Sequence, residues 1–311
     1  MLFKRRPGAS KTADALHPRP FRTGPRGGAM ILSPSQLGTF LRCGEQWRRR
    51  YLEGDVIPPG IAARIGSGVH RAAALNWREK LAHGRDLPLD AVQDAAAEAY
   101  HAELQNGVFF PPEERSRAAV AMAEGKDTAV RLATVMRNEL APHIHPELIE
   151  ERVVLDIGLD VPVVTVLDLF TKDKALRDLK TSSRAWTEDK ARTSLQPALY
   201  RESVRVVTGS YPKSIVFDVL VNGKKGAALR SVETTRDEDD MRVITLQFRV
   251  MLNSIRAGLF PPAPADSWQC TPRWCGYYHT CPYIPAHRKT CVVMQQTVLS
   301  HKALSSSFPL H

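Results

Sequence analysis

The chain has 311 residues, enough for one large domain or two small ones, and its 43% hydrophobic and 24% charged residues are ordinary for a globular protein. No apolar run approaches a membrane span, and the basic N-terminus lacks the apolar segment of a secretory signal; a cytoplasmic protein with no membrane role is expected. The net charge of +10 suggests a polyanionic partner, but residues 1–29 hold seven basic residues against Asp14 and supply +6 of it. The +4 left for the rest is weak support for nucleic-acid binding by itself.

Residues 1–29 are rich in Pro, Gly and Arg without periodicity, and a disordered basic extension is expected. From Ser33 the text SPSQLGTFLRCGEQWRRRYLEG reads as a helix. Ser33 can cap it, Pro34 suits the first position and Gln36 completes a capping box. Leu37, Phe40, Leu41, Trp47 and Tyr51 recur at helical spacing, and Cys43 falls on the stripe of Phe40, Trp47 and Tyr51, so it is expected to face inward. A second helix is expected after Gly66-Ser67-Gly68, carrying His70 and Trp77, followed by helical patterns over 88–106 and 112–140.

The texture changes near 148, where β-branched residues broken by turn-formers predict three strands near 149–158, 161–170 and 174–180. A helix over Ser194–Thr208 follows, then a hairpin whose turn Asn222-Gly223 marks, then a helix over Asp237–Leu259 closed by Gly258 and Pro261-Pro262. Such a succession builds an α/β or α+β domain around a central sheet.

One strand carries Asp168 and the next carries Asp178-Leu179-Lys180. Antiparallel neighbours could bring the two carboxylates together at the sheet edge, an oxygen set suited to Mg²⁺ or Mn²⁺. Such a cation activates water and polarises a phosphodiester, and Lys180, on the face of Asp178, could orient that water or offset charge. A D-x-K triplet alone is a weak signal; a solvated strand with a surface ion pair is the plain alternative.

Four further motifs appear in order around it. SPSQLGTFLRCGEQWRRRY opens the chain's ordered part, GSGVHRA contains G-x-x-H, VLD precedes DLK, and Gln196-Pro-Ala-Leu-Tyr200 forms Q-x-x-x-Y. Together these resemble the RecB-like branch of the PD-(D/E)XK nucleases over about residues 31–284, with Thr165 standing where that family often has glycine. The resemblance implies an α/β, restriction-endonuclease-like core, its central mixed sheet flanked by helices, in one domain over 30–290 with a flexible tail over 291–311. It implies metal ligands at His70, Asp168, Asp178 and the Leu179 carbonyl, and catalytic roles for Asp168, Asp178 and Lys180. Gln196 and Tyr200 would hold DNA or the active-site strand, or serve only in helix packing and solvation.

Cys43, Cys270, Cys275, Cys281 and Cys291 are the five cysteines, and such clustering in a cytoplasmic chain points to a metal or cluster before disulfides. The resemblance implies a 4Fe-4S cluster on Cys43, Cys270, Cys275 and Cys281, forming an iron–sulfur subdomain from the N- and C-terminal segments; structural Zn²⁺ is the alternative, and Cys291 is a spare. Trp268, Trp274, Tyr277 and Tyr278 are expected to pack over the cluster, with base stacking as the other reading.

The implied activity is Mg²⁺- or Mn²⁺-dependent hydrolysis of DNA, as an exonuclease on free ends, in repair, phage recombination or CRISPR-adaptation-like processing. GxxxxGK[ST] is absent, so any motor would be a separate helicase or recombination partner. The alternative is a catalytically inactive nucleic-acid-binding or structural subunit of a recombination complex.

Overall fold

Five strands form one sheet in the order β1-β2-β3-β4-β5, in a computed structural model that describes residues 30–284 apart from Ala265. They are β1 (Pro146–Leu155), β2 (Val163–Thr171), β3 (Ala175–Ser182), β4 (Ser214–Gly223) and β5 (Gly226–Thr234). All neighbours are antiparallel except β3 and β4, which run parallel. That one parallel pair needs a crossover, supplied by the short helix α6 (Glu188–Arg192) and α7 (Gln196–Thr208).

One sheet face is covered by α1 (Pro34–Arg42), α7 and α8 (Glu238–Arg256), which bury Leu37, Phe40, Phe170, Leu199 and Phe248 in one core. The other face is covered by α3 (Ile61–His83), α4 (Leu89–Leu104) and α5 (Ala118–Val135), around Val69, Trp77, Tyr100, Leu132, Leu179 and Leu220. Each fully buried Leu or Phe of these layers stabilises the fold by about 1.5–3 kcal/mol relative to exposure.

Several boundaries differ from the sequence expectation. The first helix stops at Cys43, whose backbone is extended (φ −165°, ψ 107°), and α2 (Gly44–Trp47) restarts from it, continuing as a π turn over Arg48–Leu52. Cys43 caps both helices: its N–H donates to the Thr39 carbonyl at 2.9 Å and its Sγ accepts from Gln46 N–H at 3.4 Å. The unbroken apolar stripe hid this break. Ser33 Oγ accepts the Gln36 N–H, but the Gln36 amide reaches the Ile31 carbonyl instead, so half of the expected capping box forms.

The His70 helix begins at Ile61, so Gly66 and Gly68 lie inside it. A Cβ at Gly68 would stand 3.1 Å from the Ala96 carbonyl and from Tyr100, so glycine there permits the close approach of α3 to α4. The 112–140 pattern divides into a 3₁₀ turn over Pro112–Arg117, α5, and a π turn over Met136–Leu140. In the hairpin, Gly223 pairs with Gly226, which places Lys224 and Lys225 at the turn.

The N-terminal helices meet the segment after α8. Gly44 donates its N–H to the Pro261 carbonyl at 2.7 Å, and Trp47 stacks on Phe260 at 6.0 Å between centroids and 11° between planes. Farther along, the Tyr277 hydroxyl donates to the Asp55 carbonyl, and its ring lies under the Arg49 guanidinium at 4.6 Å. The expected extension over 1–29, the tail over 291–311 and Cys291 lie outside the described residues. No helix among the described residues is long and apolar enough to cross a membrane.

Candidate active site

The ladder between β2 and β3 consists of Leu169 opposite Arg177 and Phe170 opposite Leu176. Continuing that register would set Asp168 opposite Asp178, but there the regular pairing ends. The Leu179 N–H donates instead to Asp168 Oδ2 at 3.2 Å. The carboxylates therefore meet in a fork between two interior strands, not at the sheet edge that the sequence suggested, because β3 is the central strand.

Asp178 is 2% exposed. The Lys180 ammonium stands 2.6 Å from its Oδ2, and Oδ1 is buried without a hydrogen-bond donor among the described residues. Burial, helped by the charge of Asp168, pushes the Asp178 carboxyl up to about 7 against the opposing pull of Lys180. Burial also raises Asp168, opposed by Lys180 and by the Leu179 N–H.

His70 enters from α3, its Nδ1 3.5 Å from Asp168 Oδ2. Burial, followed by the Lys180 charge, holds its imidazole below the usual histidine range, so the neutral, ligating form prevails near neutrality. On the opposite side, Lys180 Nζ donates to Gln196 Oε1 at 3.3 Å from the start of α7. Tyr200, one turn on, is buried; that burial and the charges of Asp178 and Asp168 raise its hydroxyl, which keeps its proton. The structure thus brings His70, Asp168, Asp178, Lys180, Gln196 and Tyr200 to one place. Thr165 is buried and shares a 2.6 Å hydrogen bond with Ser203, tying β2 to α7.

Two features escaped the sequence reading. Glu150 lines a cavity with His70 and Asp168, its carboxylate paired with Arg78 of α3 and its backbone left-handed at φ 49° within β1. A glutamate in such a conformation is uncommon. No motif marks Glu150, and a lone strand glutamate carries no signal of its backbone angle. Behind the fork, Arg177 donates to both oxygens of buried Asp218 at 3.0 and 2.9 Å, and Ser231 adds a third bond at 2.6 Å. That pair joins β3, the strand that carries Asp178, to β4.

Among the described residues, no three His, Cys, Asp or Glu side chains stand close enough together to hold a metal ion. The donor chemistry still fits a hard divalent cation: two carboxylates, a buried orphan oxygen on Asp178 and a neutral imidazole converge on one fork.

The profile of the PD-(D/E)XK nuclease superfamily matches residues 31–282. The chain belongs to that superfamily. No curated protein matches this nuclease. Among solved structures, a "Putative exonuclease" from Eubacterium rectale aligns with 90% of this chain and 91% of its own, at 12% identity and a TM-score of 0.53. SSO0001 aligns with 73% of this chain and 87% of its own, at 12% identity and a TM-score of 0.29. The first likeness concerns the fold, an α/β mixed sheet with flanking helices consistent with a restriction-endonuclease-like core.

Three of the four described cysteines share a cavity. Cys43, Cys270 and Cys275 line one surface cavity of about 280 Å³, and all four described cysteines are free thiols. Burial raises the thiols of Cys270, Cys275 and Cys281; neighbouring thiols raise them further, after the Glu45 carboxylate in the case of Cys281. The aromatic residues divide: Tyr277 is buried, whereas Trp268 and Trp274 are 64% and 57% exposed and do not form the expected packed cover.

Proposed function

We propose that this chain is a divalent-metal-dependent deoxyribonuclease that works as an exonuclease on free DNA ends. The single observation behind this reading is the fork: Asp168 and Asp178 facing each other, with Lys180 2.6 Å from Asp178 and an orphaned carboxylate oxygen beside it. Asp168, Asp178, His70 and the Leu179 carbonyl would hold Mg²⁺ or Mn²⁺. When bound, that cation lowers the pKa of water and offsets charge on the scissile phosphate.

The chain's own groups do the rest. Asp178 would release its proton to solvent on taking up the cation. Lys180, fixed between Asp178 and Gln196, donates toward the attacking water or the phosphate oxygens as charge develops. Tyr200 keeps its proton and closes the floor of the site.

The four cysteines would hold a 4Fe-4S cluster, with Zn²⁺ as the rival occupant, as a structural staple with no redox step. The same chemistry suits DNA repair, phage recombination or CRISPR-adaptation-like processing beside a separate helicase or recombination partner. End-labelled single- and double-stranded DNA, incubated with Mg²⁺ or Mn²⁺, tests the reading. Cleavage by the full chain, lost in Asp178→Ala and in Lys180→Ala, is expected. DNA binding without cleavage would overturn it in favour of an inactive nucleic-acid-binding or structural subunit.

A further inference from the structure

We propose that Trp268, Trp274 and Arg42 form a stacking platform for single-stranded DNA outside the catalytic fork; the choice of DNA rests on the nuclease reading above. The platform stands on a fixed loop. Tyr277 is anchored through its hydroxyl to Asp55, and Gly276 packs so tightly that a Cβ there would lie 2.5 Å from Ile57. Within the loop, Trp274 and Cys275 both donate backbone N–H bonds to the Thr271 carbonyl, and Cys270 donates to Ser267. A tryptophan held this firmly, yet more than half exposed, is not filling a core.

The two indoles meet edge to face, with centroids 5.4 Å apart at 85°. Such a pair leaves ring surface open to a flat partner. Arg42, Trp268 and Trp274 border the cavity that Cys43, Cys270 and Cys275 line, and among the described residues the Arg42 guanidinium meets Thr39 Oγ1 at 3.5 Å and no carboxylate. Gln269 lines the cavity as well, and its side-chain oxygen lies beneath the surface without a hydrogen-bond donor among the described residues. Rings for base faces, a cation for phosphate and an amide for a base edge are the chemistry of a single strand; a duplex hides its base faces.

The far end of the loop sets a direction. Arg273 lies 5.5 Å from the Trp274 ring and is paired with Glu113 at 3.2 Å and Glu114 at 2.9 Å. Those carboxylates repel phosphate, so the strand lies toward Arg42.

The test measures binding by the full chain in EDTA, where no cleavage intervenes, with fluorescent dT oligonucleotides, an abasic strand and a duplex as probes. Trp268→Leu and Trp274→Leu keep apolar bulk but remove the indole face, and each should weaken dT binding by about 10-fold. Duplex binding should not change, and the abasic strand should bind wild type as weakly as dT binds the variants. Arg42→Gln should reduce the salt dependence by about one counterion. Iron and zinc per chain should match wild type in all three, which separates the platform from the cysteine site. Unchanged dT affinity in both tryptophan variants overturns the proposal. So does equal binding of abasic strand and dT. Failure of the nuclease reading shows separately, as absent cleavage by wild type with Mg²⁺.

Discussion

The carboxylate of Asp168 accepts the backbone N–H of Leu179 at 3.2 Å, so one side chain replaces a ladder bond where β2 and β3 part. Its removal should therefore have two effects. Asp168→Ala should abolish cleavage and also cost about 1–3 kcal/mol, since it strands a buried N–H. Asp168→Asn keeps an acceptor and should lose cleavage with little change in stability. Urea unfolding of both variants checks this; equal stability losses would show that the bond is no strut.

Asp178 links stability to pH in the metal-free protein. Its folded carboxyl is pushed up to about 7 from an ordinary 3.8. The sign follows: the group favours folding below the ordinary value, and that contribution is lost as pH rises through the folded one. Asp178→Asn, which cannot ionise, should match wild type near pH 4 and become progressively more stable than it up to pH 7, then keep a constant advantage. Melting curves in EDTA across that range decide the matter. With Mn²⁺ present, wild type should instead bind metal more tightly over the same rise.

Asp218 is 1% exposed, and Arg177 and Ser231 occupy its oxygens. Asp218→Ala leaves the half-buried Arg177 guanidinium without its partner and should cost about 1.5–3 kcal/mol. Replacing both residues by leucine should recover most of that loss. Chemical denaturation of the single and double variants measures the recovery, and additive losses would rule out the pairing.

Cys43 and Gly44 separate metal from scaffold at the chain junction. Cys43→Ala should remove iron or zinc while the Gly44–Pro261 hydrogen bond survives. Gly44→Ala would place a Cβ 2.8 Å from the Pro261 backbone and should lower the melting temperature even with the metal retained. Metal counts per chain and thermal unfolding of each variant test the division. Normal metal content in Cys43→Ala would remove Cys43 from the ligand set.

Much of this was legible in the sequence. The strands carrying Asp168 and Asp178, the helix carrying His70 and the one opening at Gln196 were all visible from periodicity and turn residues. What was not legible depends on long-range geometry. The break at Cys43 sits inside an apolar stripe that reads as continuous, because a capping thiol and an inward thiol have the same spacing. Gly66 and Gly68 look like a helix boundary, yet Gly68 serves packing against α4 and Gly66 lies against Thr181 of β3. The fork in the sheet interior needed the β3–β4 parallel pair, whose partners are distant in sequence. The exposure of Trp268 and Trp274 could not be read from an aromatic-rich composition.

The contact of Gly44 and Trp47 with Pro261 and Phe260 also has a meaning in time. During synthesis, the first helices emerge long before the segment they pack against, while the fork residues from His70 to Tyr200 lie between. Trp47 remains without its stacking partner until Phe260 leaves the ribosome. The growing chain therefore completes the strands of the carboxylate fork before it can lock its own frame, and a chain halted short of residue 260 would present an unfinished aromatic surface to proteases and chaperones.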